Sequence, residues 1–271
     1  MPELPEVETT RRGIEPLVDD KVVDQVLIHN SSLRWPISGE LVKVLPGQKS
    51  GRVSRRSKYL LFSFDSGTMI VHLGMTGHLR VDETRTERRK HDHFEIIFTD
   101  GTILRYNDPR RFGSILWTDE NPLKHVRLAS LGPEPFSTEF NASYLYSASR
   151  QRKIAVKPFL MDAHVVVGVG NIYASEVLFR ARIAPNRTAG KVGKAAYKRL
   201  VDKVQIVLNE AIAAGGTTIR DFSNSDGKPG YFTQKLRVYG RAGQKCPSCD
   251  MLIKQVRLGQ RSTFYCPGCQ K

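Results

Sequence analysis

The chain opens Met1-Pro2-Glu3-Leu4-Pro5-Glu6. Removal of the initiator methionine is expected where a small residue follows it, and it leaves Pro2 as the N-terminal residue. A free α-amino group titrates at roughly 7.7–8.0, against about 10.4 for a lysine side chain. A useful fraction of the Pro2 amine is therefore unprotonated near neutral pH, as an amine nucleophile requires. Glu3 adds a carboxyl group one residue away, able to give or take a proton at whatever centre the amine attacks. The same residues also read as a proline-punctuated helix start, with Pro5 near the first helical position and Glu6 and Glu8 at the positive end of the dipole. Both readings stand at this point.

A second constellation lies in the tail. Cys246-Pro-Ser-Cys249, sixteen intervening residues and Cys266-Pro-Gly-Cys269 have the spacing of a tetrathiolate zinc ribbon and use all four cysteines of the chain. Two disulfides are the alternative, but nothing in the sequence points to an oxidising compartment. Four thiolates leave no coordination position for a catalytic water, so such a zinc ion is structural. Lys254, Arg257 and Arg261 lie between the two knuckles, which makes the stiffened segment a basic β-hairpin. Two other motifs are weaker. His91-Asp92-His93 places two imidazoles at alternate strand positions, a possible metal pair, but no third ligand is evident. Val165-Val-Val-Gly-Val-Gly170-Asn171 starts like a dinucleotide fingerprint and fails where Tyr173 replaces the third glycine. It reads instead as a turn between helices whose glycines let backbone amides approach a phosphate.

The elements that must position these residues follow from patterning. At 271 residues the chain accommodates one large domain or two ordinary ones, and a 40% hydrophobic composition supports real cores. Lys and Arg number 42 against 27 Asp and Glu, a net charge of +15, which predicts a polyanionic partner. The basic residues are spread over many short clusters instead of one amphipathic segment, which favours nucleic acid over a membrane surface. No apolar run approaches the roughly eighteen residues of a membrane span. The N-terminus lacks a charged-then-apolar signal pattern, so a cytoplasmic, nucleoid-associated location is expected.

Residues 5–17 read as a helix, with Val7, Ile14, Leu17 and Val18 near one face. Two hairpins follow, 58–73 turning at Asp65-Ser-Gly67 and 94–106 turning at Asp100-Gly101, the latter supplying the positive φ angles of a tight turn. The first ~130 residues are thus expected to be a β-sandwich flanked by helices. The proline-broken stretch 131–136 reads as a linker. Helical patterns then cover 137–150, 157–163, 171–181 and 191–214, the last stopped by Gly215-Gly216. Residues 217–231 form a polar, glycine-rich loop of the kind that carries function.

Taken together, the Pro-Glu-Leu-Pro-Glu-Val-Glu opening, the Gly-Val-Gly-Asn-Ile-Tyr turn and the zinc ribbon closely resemble the bacterial formamidopyrimidine-DNA glycosylase family. Matching stretches include 55–60, 72–77, 90–93, Asp108-Pro-Arg-Arg-Phe-Gly113, Ser225-Asp-Gly-Lys-Pro-Gly230 and Gln260-Arg261, so the resemblance covers essentially the whole chain. It implies an α+β multidomain protein: an N-terminal catalytic β-sandwich domain (1–132), a helix-two-turn-helix DNA-binding domain (133–236) carrying a lesion-recognition loop, and a zinc-ribbon finger (237–271). The implied partner is damaged double-stranded DNA, bound by a monomer with one structural zinc ion and no small-molecule cofactor. The implied activity is excision of 8-oxoguanine and formamidopyrimidines, followed by strand cleavage.

Pro2 looks like the nucleophile at the deoxyribose C1′, Glu3 like the proton-transferring acid, Lys58 like the proton donor in strand cleavage, and Arg261 like the grip on the lesion phosphate. Met75, Arg110 and Phe112 resemble the residues that fill the vacated stack and face the orphaned base. For Met75 and Phe112 ordinary core packing is the alternative. His91, Arg110 and Arg152 match DNA-contacting positions, and Lys157 and Asn171 match phosphate grips. Glu6, Glu176, Thr217 and Tyr239 are expected near the lesion pocket, with a plain helix-dipole role as the alternative for Glu6. The chain departs from the family pattern at Ala163, where an amide residue is usual, which puts one local contact in doubt. An endonuclease VIII-type enzyme for oxidised pyrimidines shares the fold and the Pro2 chemistry, but Leu4 and the Arg110/Phe112 pair favour the purine enzyme. A non-catalytic zinc-ribbon DNA-binding protein has no reason to keep Pro2-Glu3, Lys58 and Arg261 together.

Overall fold

The computed structural model describes residues 2–82, 86–216 and 235–271. The 217–231 loop and Thr217 lie outside the described residues. By packing, the chain divides into two compact units, one drawn from Met1–Ala129 and Ala214–Tyr231, the other from Ser130–Ala213 and Phe232–Lys271.

The first unit begins with helix α1 (Leu4–Val18), whose buried face is Leu4, Val7, Thr10, Ile14 and Val18. After it come β1 (Val23–Ile28), the single turn α2 (Leu41–Val44), β2 (Ser50–Arg56), β3 (Tyr59–Phe64), β4 (Gly67–His72), β5 (His78–Asp82), β6 (Asp92–Phe98), β7 (Ile103–Asn107) and β8 (Ser114–Thr118). The strands form two four-stranded sheets, β1-β6-β7-β5 and β2-β3-β4-β8, with every pairing antiparallel. Val53, Phe62 and Val71 from one sheet and Val26, Phe94 and Leu104 from the other share a core with Val7 and Ile14 of α1. This is the sandwich that the strand alternation predicts, and both expected hairpins are present. The opposite side of β5, β6 and β7 buries charge instead: Arg80 forks onto Asp92 at 3.0 and 2.9 Å, and Arg105 donates to Glu95 at 2.8 Å.

The second unit carries α3 (Ala142–Ser149), α4 (Val156–Met161), α5 (Asn171–Arg180) and α6 (Lys194–Ala213), then the hairpin β9 (Lys254–Leu258) and β10 (Arg261–Tyr265). All four helices are shorter than their sequence patterns, α5 by a single residue. α3 starts at Ala142 because the Asn141 side chain accepts from Tyr144 N–H at 3.0 Å and caps it there. α4 ends before Asp162, whose backbone turns extended and whose carboxylate accepts from His164 N–H. α6 is preceded by a separate 3-10 turn at Ala189–Lys191. Between α4 and α5 the chain makes a turn at 163–165 and a bend at 166–168, with Gly168 at φ 80. The zinc-ribbon segment shares a core with α5, since Phe179 packs with Val238, Ile253 and Phe264.

Candidate functional site

The N-terminal residues form the helix start that the opening motif predicts. Glu3 is the N-cap of α1, and a capping box joins it to Glu6: Glu3 N–H donates to Glu6 Oε2 at 2.8 Å, and the Glu3 carboxylate receives Glu6 N–H. Pro2, Glu3 and Glu6 are all buried. Gly216, at φ +82, packs its backbone on Glu6, so that a Cβ there would lie 3.1 Å from Glu6 Oε1. The helix start therefore holds the Pro2–Glu3 pair in one geometry, which is what a positioned nucleophile and acid require.

Lys58 sits in the turn between β2 and β3 and is half-buried. The preceding residue, Ser57, is buried at φ 58, a left-handed conformation that a non-glycine residue adopts at some energetic cost. Arg55 braces this turn: Nη1 donates to the Ser57 carbonyl at 2.8 Å while Nε donates to Glu8 Oε2 at 3.1 Å. Glu8 lies on α1, so the hairpin carrying Lys58 is tied to the helix carrying Pro2 and Glu3. Burial opposes ionisation of Glu8, but hydrogen bonds from Arg11 and Arg12 outweigh it and hold the carboxyl below its usual range. His72, at the end of β4, is held down to about 4 by burial and by Lys58. It is thus neutral, and its Nδ1 accepts from Gly74 N–H at 3.0 Å.

Met75, Arg110 and Phe112 come together on two adjoining loops of the same unit. A Cβ on Gly74 (φ +63) would collide with the Phe112 backbone, so the loops meet with no side chain between them. Phe112 is 42% exposed, Met75 half-buried and Arg110 exposed, with the guanidinium 4.8 Å from the Phe112 ring. Phe112 is therefore not a core residue, and Met75, half-buried, stands outside the sandwich core. His91 is half-buried beside His93, their ring centroids 6.2 Å apart, and His93 Nε2 lies 2.9 Å from the Asp108 carbonyl. No cluster of three or more metal-ligating side chains includes either imidazole among the described residues.

In the second unit Lys157, Asn171, Tyr239 and the β10 end of the hairpin converge. Lys157 is buried, and its Nζ donates to Asn171 Oδ1 at 2.5 Å, Thr263 Oγ1 at 2.9 Å and the Ser262 carbonyl at 3.2 Å. Asn171 opens α5 and donates to the same Ser262 carbonyl at 3.1 Å. Arg261, next to Ser262, is exposed at the hairpin turn, where Gly259 and Gln260 take φ 53 and φ 60. Lys157 thus spends its ammonium on protein oxygens and locks the turn that presents Arg261. Arg152 is exposed between α3 and α4, its backbone holding Gly190 N–H.

Glu176 is fully buried and accepts three backbone N–H groups at 2.9 Å each, from Arg237, Val238 and Tyr239. It anchors the segment that carries Tyr239, whose ring packs edge-on against Phe264 at 5.0 Å. Sequence reasoning missed these bracing roles of Glu176 and Arg55, because their acceptors and donors lie far away in the chain. At Ala163 it is the backbone that works, its carbonyl accepting Gly132 N–H at 2.8 Å.

The four cysteine sulfurs all lie within 4.8 Å of one another, with Cys246–Cys269 at 3.9 Å and Cys249–Cys266 at 3.3 Å. A tetrahedron of thiolates around zinc has sulfur–sulfur edges of about 3.8 Å, so the donor set fits that ion. Burial and the neighbouring thiols push Cys269 up to about 12, a penalty that a divalent cation among the sulfurs removes.

Three family models match the chain: the formamidopyrimidine-DNA glycosylase N-terminal domain over residues 1–115, the formamidopyrimidine-DNA glycosylase H2TH domain over 131–223, and the zinc finger found in FPG and IleRS over 243–271. The chain is 55% identical over 271 residues to the formamidopyrimidine-DNA glycosylase of Stutzerimonas stutzeri, covering 100% of both. It superposes with a TM-score of 0.91, at 33% identity and 100% coverage of both chains, on a Lactococcus lactis FPG mutant in complex with a Fapy-dG containing DNA. A complex of the Lactococcus lactis Fpg with an abasic site containing DNA gives the same TM-score and identity, with 99% coverage of each chain. The chain belongs to the formamidopyrimidine-DNA glycosylase family. It carries one structural zinc ion, for which the four cysteines supply the donor set.

Proposed function

We propose that this protein is a base-excision repair enzyme that removes oxidised purines, 8-oxoguanine and formamidopyrimidines, from damaged double-stranded DNA and then cuts the strand at the same sugar. The observation that carries this reading is the Pro2–Glu3 pair fixed by a capping box at the start of α1, in a chain that matches this glycosylase family along its whole length.

Pro2 is the N-terminal residue once Met1 is removed, and its amine attacks C1′ of the damaged nucleotide as the glycosidic bond breaks. A secondary amine forms the iminium cation directly, without losing a further proton. Glu3 transfers protons at the sugar, Lys58 donates a proton as the strand is cut, and Arg261 grips the lesion phosphate and assists the second elimination. Elimination on both sides of the sugar leaves a one-nucleotide gap.

The glycosidic bond is out of reach in a stacked duplex, so the nucleotide is flipped out at a cost of a few kcal/mol. Met75, Arg110 and Phe112 fill the space it leaves, and such apolar wedges at a base step sustain a kink. The exposure of Arg110 and Phe112, on a loop that abuts the one carrying the half-buried Met75, supports that role. His91, Arg110 and Arg152 contact the DNA, and Lys157 and Asn171 act at the phosphates flanking the lesion, in part by bracing the Arg261 turn. Glu6, Glu176 and Tyr239 are assigned to recognition of the damaged base. The three-part division at residues 132 and 236 assigns catalysis to the sandwich, DNA binding to the helices and the lesion phosphate to the ribbon. The protein acts as a monomer in the cytoplasm, associated with the nucleoid; no helix among the described residues is long and apolar enough to cross a membrane.

The endonuclease VIII-type alternative has less support, because the family match is to the formamidopyrimidine enzymes. The test is borohydride trapping on an 8-oxoguanine:cytosine duplex with Met1-free protein. A covalent adduct that disappears in Pro2→Gly is expected. No adduct from the wild type, or undiminished cutting by Pro2→Gly, would overturn the mechanism.

A further inference from the structure

Asp108 is fully buried at the end of β7 and has no part in the chemistry described above. Its carboxylate reaches into two loops. Oδ1 accepts the Thr76 hydroxyl at 2.6 Å, while Oδ2 accepts Gly113 N–H at 2.9 Å and the Tyr106 hydroxyl at 3.2 Å. Thr76 Oγ1 in turn accepts Arg110 N–H at 3.2 Å. The Asp108 backbone is engaged too: its N–H donates to the His91 carbonyl at 3.1 Å, and its carbonyl accepts Arg111 N–H at 3.1 Å. Residues 73–77, which carry Met75, and residues 109–113, which carry Arg110 and Phe112, are therefore stitched together through one side chain.

Among the described residues, all three donors to the carboxylate are neutral. A buried carboxylate without a charged partner is an expensive way to join two loops, and a neutral amide would desolvate more cheaply. What the charge adds is strength, since hydrogen bonds to an ionised acceptor are roughly twice as strong as neutral ones. Stiffness at this place has a use. A wedge that yields under the stacking force cannot hold open a duplex whose nucleotide has been extruded at a cost of a few kcal/mol. Arg111 at φ 56 holds a left-handed backbone that a non-glycine residue adopts only at a cost, so the Arg110–Phe112 loop is not a relaxed turn that would keep this shape unaided.

We propose that Asp108 is the positioning residue of the wedge, its carboxylate locking the Met75 loop and the Arg110–Phe112 loop into one rigid body through Thr76 and Gly113. This rests on the reading of those three residues given under Proposed function. Asp108 touches no reacting atom; it acts through the loops.

The test compares Asp108→Asn, Thr76→Val and Thr76→Ser with the wild type on two duplexes, one with 8-oxoguanine opposite cytosine and one with a preformed abasic site, which has no base to extrude. Single-turnover excision and the fluorescence of 2-aminopurine beside the lesion are read with each variant, at a temperature where thermal melting shows it folded. Thr76→Val, which keeps the shape and removes the hydroxyl, is expected to slow 8-oxoguanine excision roughly tenfold, about 1.4 kcal/mol. Cutting at the abasic site should fall much less, the 2-aminopurine signal of stack opening should weaken, and Thr76→Ser should restore both. Asp108→Asn should give the same pattern. The inference is overturned if both variants excise 8-oxoguanine at the wild-type rate, or if they lose both substrates in equal measure. A wild type that forms no borohydride adduct refutes the proposed function instead, so the two failures are distinguishable.

Discussion

Replacing Glu176 by glutamine should weaken the helical unit. The carboxylate accepts from Arg237 N–H through Oε2 and from Val238 and Tyr239 N–H through Oε1, each at 2.9 Å. A glutamine can keep the latter two with its own oxygen, but its amide nitrogen then points a donor at Arg237 N–H. One charge-assisted bond is lost outright and two fall from charged to neutral strength. Hydrogen bonds to charged groups contribute about 1.5–3 kcal/mol and neutral ones about 0.5–1.5 kcal/mol; the cheaper burial of a neutral amide offsets part of what is lost, so the expected net loss is about 2–4 kcal/mol. Glu176 is fully buried, which leaves little solvent to soften the effect. For a unit of this size the melting temperature should fall by roughly 5–15 °C. Both tryptophans, Trp35 and Trp117, belong to the first unit, so their fluorescence follows the sandwich and not the helices. Hydrogen exchange at the amides of 237–239 is the direct assay, because their protection depends on this carboxylate. Unchanged protection and an unchanged melting temperature in Glu176→Gln would refute the anchoring argument. Altered base selectivity without loss of stability would show that Glu176 acts on the damaged base and not as an anchor.

Two further outcomes are expected. Cys249→Ser should lose zinc and DNA affinity together, because metal binding contributes on the order of 10–16 kcal/mol to folding in zinc-finger peptides and the ribbon holds the Arg261 turn; full-strength DNA binding by zinc-free protein would contradict this. His72 stays neutral in the fold because burial and Lys58 hold it down to about 4, whereas the unfolded side chain titrates near 6.5. The unfolded state therefore takes up a proton first as pH falls, and stability present above about pH 6.5 should drain away towards pH 4 by up to about 3 kcal/mol. His72→Gln, which keeps an acceptor for Gly74 N–H, should flatten that part of the profile. Identical pH dependence in the two proteins would refute the assignment.

Much of this protein is legible in its sequence because the relevant signals are local. The cysteine spacing defines the ribbon, since two Cys-X-X-Cys knuckles can close on one ion wherever the segment packs. Pro5 and the glutamates mark the start of α1, and the Glu3–Glu6 capping box lies within four residues. Asp100-Gly101 marks a hairpin for the same reason, with Gly101 at φ 88. The roles decided by tertiary structure belong to polar groups whose partners lie far along the chain. Glu176 meets amides 61–63 residues away, Lys157 meets Thr263, and Arg55 meets Glu8. Periodicity says which face of an element is apolar but not which buried donor a carboxylate will find there, because that depends on how the elements pack. Lys157 shows the difference: nothing in its sequence neighbourhood reveals the buried contacts with Asn171, Ser262 and Thr263 that the fold supplies. The Pro2–Glu3 pair is read from residue type alone, but its fixed geometry needs the capping box, Gly216 and the Arg55 brace that the packed sandwich supplies.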